Sequence, residues 1–341
     1  MALMDRVLAY YFEKPEDLIV KPITEGLINQ TFEIKLGINR YILQQLNTSI
    51  FKKPEDIISN MLAIGNHLKM NEYPKSIINI LPNLNQNYLT FVNDEVWRLT
   101  NYIPNSVCYN QVCSKEQAYQ AAKAIGEFHY YLKDLDITRI KPSIIGFLDY
   151  KKRVESYTKA ITEGNQQRVK IASEAINYIN NHLPLVEKYL ALEFPQRIVH
   201  ADAKIGNFLF DQSDSTKVKA VIDWDTIIPG NILCDFGDMV RTYSNLRVED
   251  DPNPEDNFSL SYYEAVKEGF LSELKNILTD KELEAIDLTA YVVILIQAIR
   301  FITDFLQDDI YYHTTRENQN LDRTINQINL LKSIQKHICI N

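Results

Sequence analysis

The residues best suited to chemistry lie in His200-Ala-Asp202-Ala-Lys204-Ile-Gly-Asn207, followed 16 residues after Asn207 by Asp223 in Ile222-Asp223-Trp-Asp225. Phosphoryl transfer asks for a carboxylate that takes the proton of an acceptor hydroxyl. It also asks for oxygen ligands to a metal ion and for a cation that offsets the spreading phosphate charge. Asp202 has the chemistry of the base. Asn207 and Asp223 are oxygen donors suited to Mg²⁺, with Asp225 as a further carboxylate beside them. Lys204 places an ammonium two residues beyond the base.

The elements around this loop must bring those groups together. Residues 197–200 read as a short strand leading in. Residues 208–210 and 218–222 are apolar or β-branched, and the turn formers of 211–217 separate them. The pattern predicts a hairpin that carries Asp223 back beside Asn207. Asp235-Phe-Gly237 imitates the metal-binding triplet of protein kinases. It begins 28 residues past Asn207, with Pro229-Gly230 between, which is too late for a single hairpin. The metal role therefore falls to Asp223, and Asp235 and Asp238 are expected to cap and brace a helix from 237 to 244.

Further out, a short helix is expected at 4–12 and strands at 18–24, 30–36, 40–46, 76–80, 88–92 and 95–101. Pro54 suits the first position of a helix running to about 70. Ser114-Lys-Glu-Gln117 forms a capping box that opens a helix to about 132. Helices follow near 149–163, 166–191, 236–246, 257–277, 280–307 and 316–337. The expected class is α+β: residues 1–103 form an antiparallel β-rich lobe with one helix, and 104–341 a mainly helical lobe. A nucleotide would lie in the cleft between two such lobes.

The 341 residues, 45% of them hydrophobic, suffice for two cores. The net charge of −9 lacks the basic footprint that nucleic acid requires. The first residues do not have the basic start and apolar core of a signal peptide. The longest apolar run, 291–296, is too short to span a bilayer. Cys108, Cys113, Cys234 and Cys339 have no metal-ligand spacing and fit free thiols in a reducing cytoplasm. The expectation is a cytoplasmic chain that acts on a small molecule, with no nucleic-acid, membrane or obligate protein partner.

Thr24-Glu-Gly26-Leu-Ile-Asn29-Gln-Thr31 sits in the first hairpin, where backbone N–H groups and the Asn29 and Thr31 side chains can meet phosphates. On the third strand Ile42 and Gln44 share a face. In a kinase that relation holds between the residue under adenine and the phosphate-binding lysine, so Gln44 stands where lysine would. A neutral amide donates to phosphate but offsets no charge. The helix from 54 offers Asn60 where an ion-paired glutamate is expected; either a Gln44–Asn60 hydrogen bond replaces the ion pair or the two are surface polar groups. Thr100 and Tyr102, in the connector near 99–105, would present backbone groups to the adenine edge.

Taken together, these residues resemble the aminoglycoside phosphotransferase / choline kinase superfamily, and within it the N-acetylhexosamine 1-kinase branch. The match rests on Tyr41-Ile-Leu-Gln44-Gln-Leu-Asn47, on 200–242, and on Arg300-Phe-Ile-Thr-Asp304 through Tyr311-Tyr312 to Arg323 and Gln327. The resemblance implies a protein-kinase-like two-lobed fold, ATP and Mg²⁺ as cofactors, and phosphate moved to a small-molecule hydroxyl. For the hexosamine branch that is the anomeric hydroxyl of a sugar. Phe147-Leu148, where Phe-His is expected, and Leu27 in the phosphate turn depart from the branch.

The helix near 287–307 is apolar apart from a stripe of Gln297, Arg300 and Asp304, continued by Gln307 or Asp308. A polar stripe on a buried helix must be satisfied, either by a polyol ligand or by an Arg300–Asp304 pair on the helix itself. Tyr312 and Arg323 extend this region toward a substrate. A kinase of an aminoglycoside or a choline-like amino alcohol is the rival reading, which the acidic residues of the helical lobe would suit. A nucleotide-binding interaction module without catalysis is the third, suggested by the missing strand-three lysine.

Overall fold

A computed structural model describes residues 3–24 and 28–340. The elements run α1 (Leu3–Leu8), β1 (Ile19–Ile23), β2 (Gln30–Leu36), β3 (Asn39–Leu46), α2 (Pro54–Met70), β4 (Ile80–Leu81), β5 (Thr90–Val92), β6 (Glu95–Asn101) and β7 (Ser106–Val107). Then come α3 (Lys115–Leu132), α4 (Tyr150–Glu163), α5 (Gln166–Ile171), α6 (Ser173–Leu190), β8 (Arg197–Val199), β9 (Phe208–Asp211), β10 (Asp214–Val221) and β11 (Ile228–Gly230). The chain closes with α7 (Leu233–Tyr243), α8 (Leu260–Leu274), α9 (Asp280–Glu284), α10 (Ile286–Leu306) and α11 (Gln319–His337). The chain divides into two compact units: Met1–Cys108 with Tyr131–Ile145 and Phe208–Pro229, and the remainder.

The first unit is built on an antiparallel sheet of order β1-β2-β3-β6-β4, with β5 also on β6. Side chains alternate across it. Ile34, Leu43, Trp97 and Leu99 turn to one face and form a core with Val7, Leu8, Tyr11 and Phe12 from α1 and the turn after it. The register sets Thr31 opposite Gln44 and Gln44 opposite Arg98, a polar row on the other face. β9 and β10 form the expected hairpin, with Phe208 opposite Val221 and the ladder irregular around Val218.

The second unit is helical around α10. Sixteen of its residues are buried, against α4, α6, α7 and α11. By length and composition this helix could cross a membrane, but 78% of its most apolar window is buried within the protein. Two expected helices are divided. The one at 166–191 breaks at Ala172, and the one at 280–307 begins as a single turn, α9, closed at Ala285. Thr279 and Glu282 make the capping box that opens α9. None of the four cysteines is in a disulfide.

Candidate active site

In the second unit, β8 delivers the chain into a loop whose geometry is held from α7. Asp235 accepts the N–H of His200 at Oδ2 (2.8 Å) and that of Ala201 at Oδ1 (2.7 Å). His129, on α3, meets Asp235 Oδ2 through Nε2 at 2.9 Å and the carbonyl of Ile198 through Nδ1 at 3.1 Å. Burial alone would push the Asp235 carboxyl up, but the His129 contact and the His200 N–H outweigh it and hold the pKa below the ordinary value. Ala201 sits at φ +63, a region that penalises a residue with a Cβ. The grip of Asp235 on both flanking amides offsets that strain. Tyr243, at the end of α7, donates to the carbonyl of Ala203 at 3.1 Å. Asp235 was expected to brace its own helix; it braces the loop instead, because its carboxylate points across to backbone donors.

Asp202 follows the strained residue. Its Oδ2 accepts from Lys204 Nζ and from Asn207 Nδ2, each at 2.8 Å. Asn207 Nδ2 also donates to the Asp202 carbonyl at 2.7 Å. Burial would raise the Asp202 pKa, yet the Lys204 ammonium and the Asn207 amide bring it below the usual carboxylate value. The group is a carboxylate at neutral pH, the form a general base needs. Asp238, one turn after Asp235, donates nothing and accepts Arg241 Nε at 2.9 Å on Oδ1, while its buried Oδ2 has no partner. Burial, and then the charge of Asp202 against the help of Arg241, push its pKa up.

Asn207 fits a hard cation: its amide nitrogen is spent on Asp202, which leaves Oδ1 as an acceptor. Asp223, in the first unit, stands at φ +61 at the head of a short 3₁₀ turn. Asp225 in that turn does not have the setting of a metal ligand, contrary to expectation. Its Oδ1 and Oδ2 pair with Arg98 Nη1 (2.6 Å) and Nη2 (3.0 Å), and Oδ2 also accepts Asn29 Nδ2 at 2.8 Å. Ser143 donates to its carbonyl. Both carboxylate oxygens are therefore engaged.

Arg98 is the buried charge beside these residues that sequence reasoning missed. It is 2% exposed and carries a cation into the row where the strand-three lysine is absent. Gln44 Oε1 accepts from its Nε (3.0 Å) and Nη2 (2.8 Å), and Gln44 Nε2 donates to Thr31 Oγ1 at 3.3 Å. The expected Gln44–Asn60 bond is not formed. Asn60 is instead tied to the backbone of Lys141, donating to its carbonyl at 2.7 Å and accepting its N–H at 2.9 Å. The only signal in the sequence was an arginine inside the apolar run Val96-Trp97-Arg98-Leu99. Ile42 lies opposite Thr100 in the ladder. Tyr102 carries the guanidinium of Arg40 on its ring at 3.8 Å. Asn29 Oδ1 accepts the N–H of Asn47 at 3.0 Å. Gly26 and Leu27 lie outside the described residues.

On α10 the Arg300–Asp304 pair, one of the two alternatives for the polar stripe, is absent. Asp304 is buried and accepts the N–H groups of Tyr311 (2.7 Å) and Tyr312 (2.9 Å) and Asn320 Nδ2 (2.9 Å). It is a brace for the loop after α10, with its acceptor capacity largely taken. Arg300 donates to Gln297 Oε1 at 2.9 Å and lies 5.3 Å from the Phe147 ring and 5.6 Å from the Tyr312 ring. Gln297 in turn donates to the Tyr312 hydroxyl at 3.3 Å. Arg323 is turned to Asn320 Oδ1 (2.8 Å) and the His313 carbonyl (3.2 Å).

These features define an α+β, kinase-like phosphotransferase. The profile of the phosphotransferase enzyme family matches residues 19–269, and the chain belongs to that family. It is an enzyme that transfers phosphate to an alcohol group of a small molecule. Similar folds include a microcompartment-associated aminopropanol kinase, at 14% identity and TM-score 0.69 over 98% of this chain and 97% of that one. A spectinomycin phosphotransferase solved with ADP and spectinomycin is 12% identical, with TM-score 0.65 over 98% of each chain. The choline kinase of Cryptosporidium parvum Iowa II is 14% identical, with TM-score 0.55 over 98% of this chain and 96% of that one.

Proposed function

We propose that the protein moves the γ-phosphate of ATP to a sugar hydroxyl, the anomeric hydroxyl of an N-acetylhexosamine-like sugar. The observation that carries the chemistry is the arrangement around Asp202. Lys204 and Asn207 both fall on Oδ2, which leaves Oδ1 to take the proton of the acceptor hydroxyl. Lys204, 2.8 Å from Asp202 Oδ2, would offset phosphate charge. Asn207 Oδ1 and the Asp223 carboxylate would hold Mg²⁺, which neutralises donor phosphate charge when bound. The 1–103 region would serve the nucleotide, with Ile42 under the base, Thr100 and Tyr102 at its edge, and Asn29 and Thr31 toward the phosphates; 104–341 would serve the acceptor.

The sugar reading rests on Arg300. A cation flanked by the Phe147 and Tyr312 rings and hydrogen-bonded to Gln297 offers a polyol flat faces and donors, and repels an ammonium. A cationic acceptor, such as an amino alcohol or an aminoglycoside, is favoured by one observation: the unpartnered buried oxygen of Asp238. Three structurally similar proteins are named for aminopropanol, spectinomycin and choline. Coupled ADP-release assays over N-acetylhexosamines, aminoglycosides and amino alcohols, with and without Mg²⁺, decide. Turnover confined to the cationic acceptors would overturn the sugar reading.

A further inference from the structure

Within the second unit, α4 and α10 hold two arginines that no carboxylate partners. Arg153 Nε is buried without a hydrogen-bond partner, and its Nη2 reaches the carbonyls of Gly146 and Phe147 only at 3.5 Å. Arg300 has a single side-chain bond, to Gln297, and lies against Phe147 and Tyr312. Among the described residues neither guanidinium is in an ion pair. Of the nearby acids, Asp149 caps α4 through Oδ1 and favours the Arg153 charge only from a distance, without a salt bridge, and Asp304 is taken by Tyr311, Tyr312 and Asn320. Burial, and then the charge of Arg300, depress the Arg153 pKa, so the two cations feel each other. Tyr311 and Tyr312 also stand within electrostatic reach of Arg153.

Holding two like charges together in a partly buried place is costly unless an anion joins them. Guanidinium groups present planar pairs of N–H donors that match carboxylate and phosphate oxygens. We propose that Arg153 and Arg300 form an oxyanion subsite, which takes a carboxylate or phosphate group carried by the acceptor sugar, with Phe147 and Tyr312 against the sugar's apolar face. The identity of the carrier rests on the sugar-kinase reading; the anion does not. The subsite discriminates against cationic acceptors by charge repulsion and against neutral ones by leaving the arginines unpaired.

Isothermal titration of wild type, Arg153→Gln and Arg153→Lys tests it, with N-acetylglucosamine, its 6-phosphate, its uronic acid and inorganic phosphate as probes. An anionic sugar should bind wild type about tenfold tighter than the neutral one, as two charge-assisted hydrogen bonds allow. That ratio should fall to about one in Arg153→Gln, with Arg153→Lys in between and all three proteins melting alike. Phosphate bound tightly on its own, with the same dependence on Arg153, would confirm the subsite and name a free anion as its source. Equal binding of neutral and anionic sugars, or a preference untouched by Arg153→Gln, overturns the proposal. Turnover measured on the same sugars keeps the two readings apart. Arg153-dependent anion binding without phosphorylation of any sugar would sink the sugar reading alone, whereas turnover of the neutral sugar without anion binding would sink only the subsite.

Discussion

Arg98 and Asp225 lie 127 residues apart in sequence and meet through two parallel hydrogen bonds, Nη1 to Oδ1 at 2.6 Å and Nη2 to Oδ2 at 3.0 Å. The side chains are 3% and 1% exposed. This fork ties β6 to the turn that begins at Asp223, so the carboxylate proposed for the metal stands two residues from a fixed point. Truncating one partner of a buried pair leaves an uncompensated charge. Arg98→Ala should cost about 3–5 kcal/mol, and Arg98→Lys should recover little because an ammonium cannot form the fork. Urea unfolding measures both.

Restoring the strand-three lysine should harm the protein. Gln44 accepts two hydrogen bonds from Arg98, and Gln44→Lys removes the acceptor and sets a second cation there. A loss of about 1–3 kcal/mol follows from the orphaned donors alone. Activity should not rise. A variant with an unchanged melting temperature and a higher kcat would refute the idea that Arg98 has taken over the local charge.

The Asp235 clamp predicts opposite behaviour at two neighbouring positions. Asp235→Asn turns one N–H acceptor into a donor against His200 or Ala201, so kcat should fall by about 10²-fold, as for other groups that position a reacting one. KM for the nucleotide should move little. At Ala201, glycine should be tolerated and valine should cost about 1–3 kcal/mol, because the left-handed φ penalises a branched Cβ. Steady-state kinetics and thermal melts of the three variants read this out.

Asp202→Asn should lower kcat by about 10²–10⁴-fold with nucleotide binding retained, since the proposed base is lost and a binding group is not. The acid limb of the wild-type pH profile should lie below the ordinary aspartate value, because Lys204 and Asn207 depress the Asp202 pKa against the effect of burial. Activity is lost as pH falls through that depressed value. Lys204→Met removes the largest lowering influence, so its residual activity should vanish at a higher pH than that of wild type. An acid limb that stays in place would detach Lys204 from the base.

Asp304 supports the loop after α10, on which Tyr311 and Tyr312 stand. Asp304→Ala leaves the N–H groups of Tyr311 and Tyr312 without their acceptor, while Asn320 Nδ2 keeps Asp309. It should destabilise by about 1–3 kcal/mol for each fully buried donor that water cannot reach. Asp304→Asn, which keeps one acceptor oxygen, should fall between. A stable Asp304→Ala protein that differs only in acceptor KM would make Asp304 a ligand and not a brace.

The sequence by itself determined many of the elements and the residue types of the loop. Periodicity and turn residues placed β2, α2 and the hairpin, and the spacing of Asp202, Lys204 and Asn207 put three groups within one loop, where local geometry suffices to join them. Those bonds are short in sequence, so residue type and spacing predict them. What the tertiary structure decided is which distant partners satisfy the buried polar groups. Gln44 could have met Asn60, Arg300 could have met Asp304, and Asp235 could have served its own helix. Each found a different partner because burial obliges every polar group to pair, and strand register and helix packing choose among the candidates. Arg98 shows it most plainly: one arginine in an apolar strand says only that something must neutralise it, and the fold supplied Asp225.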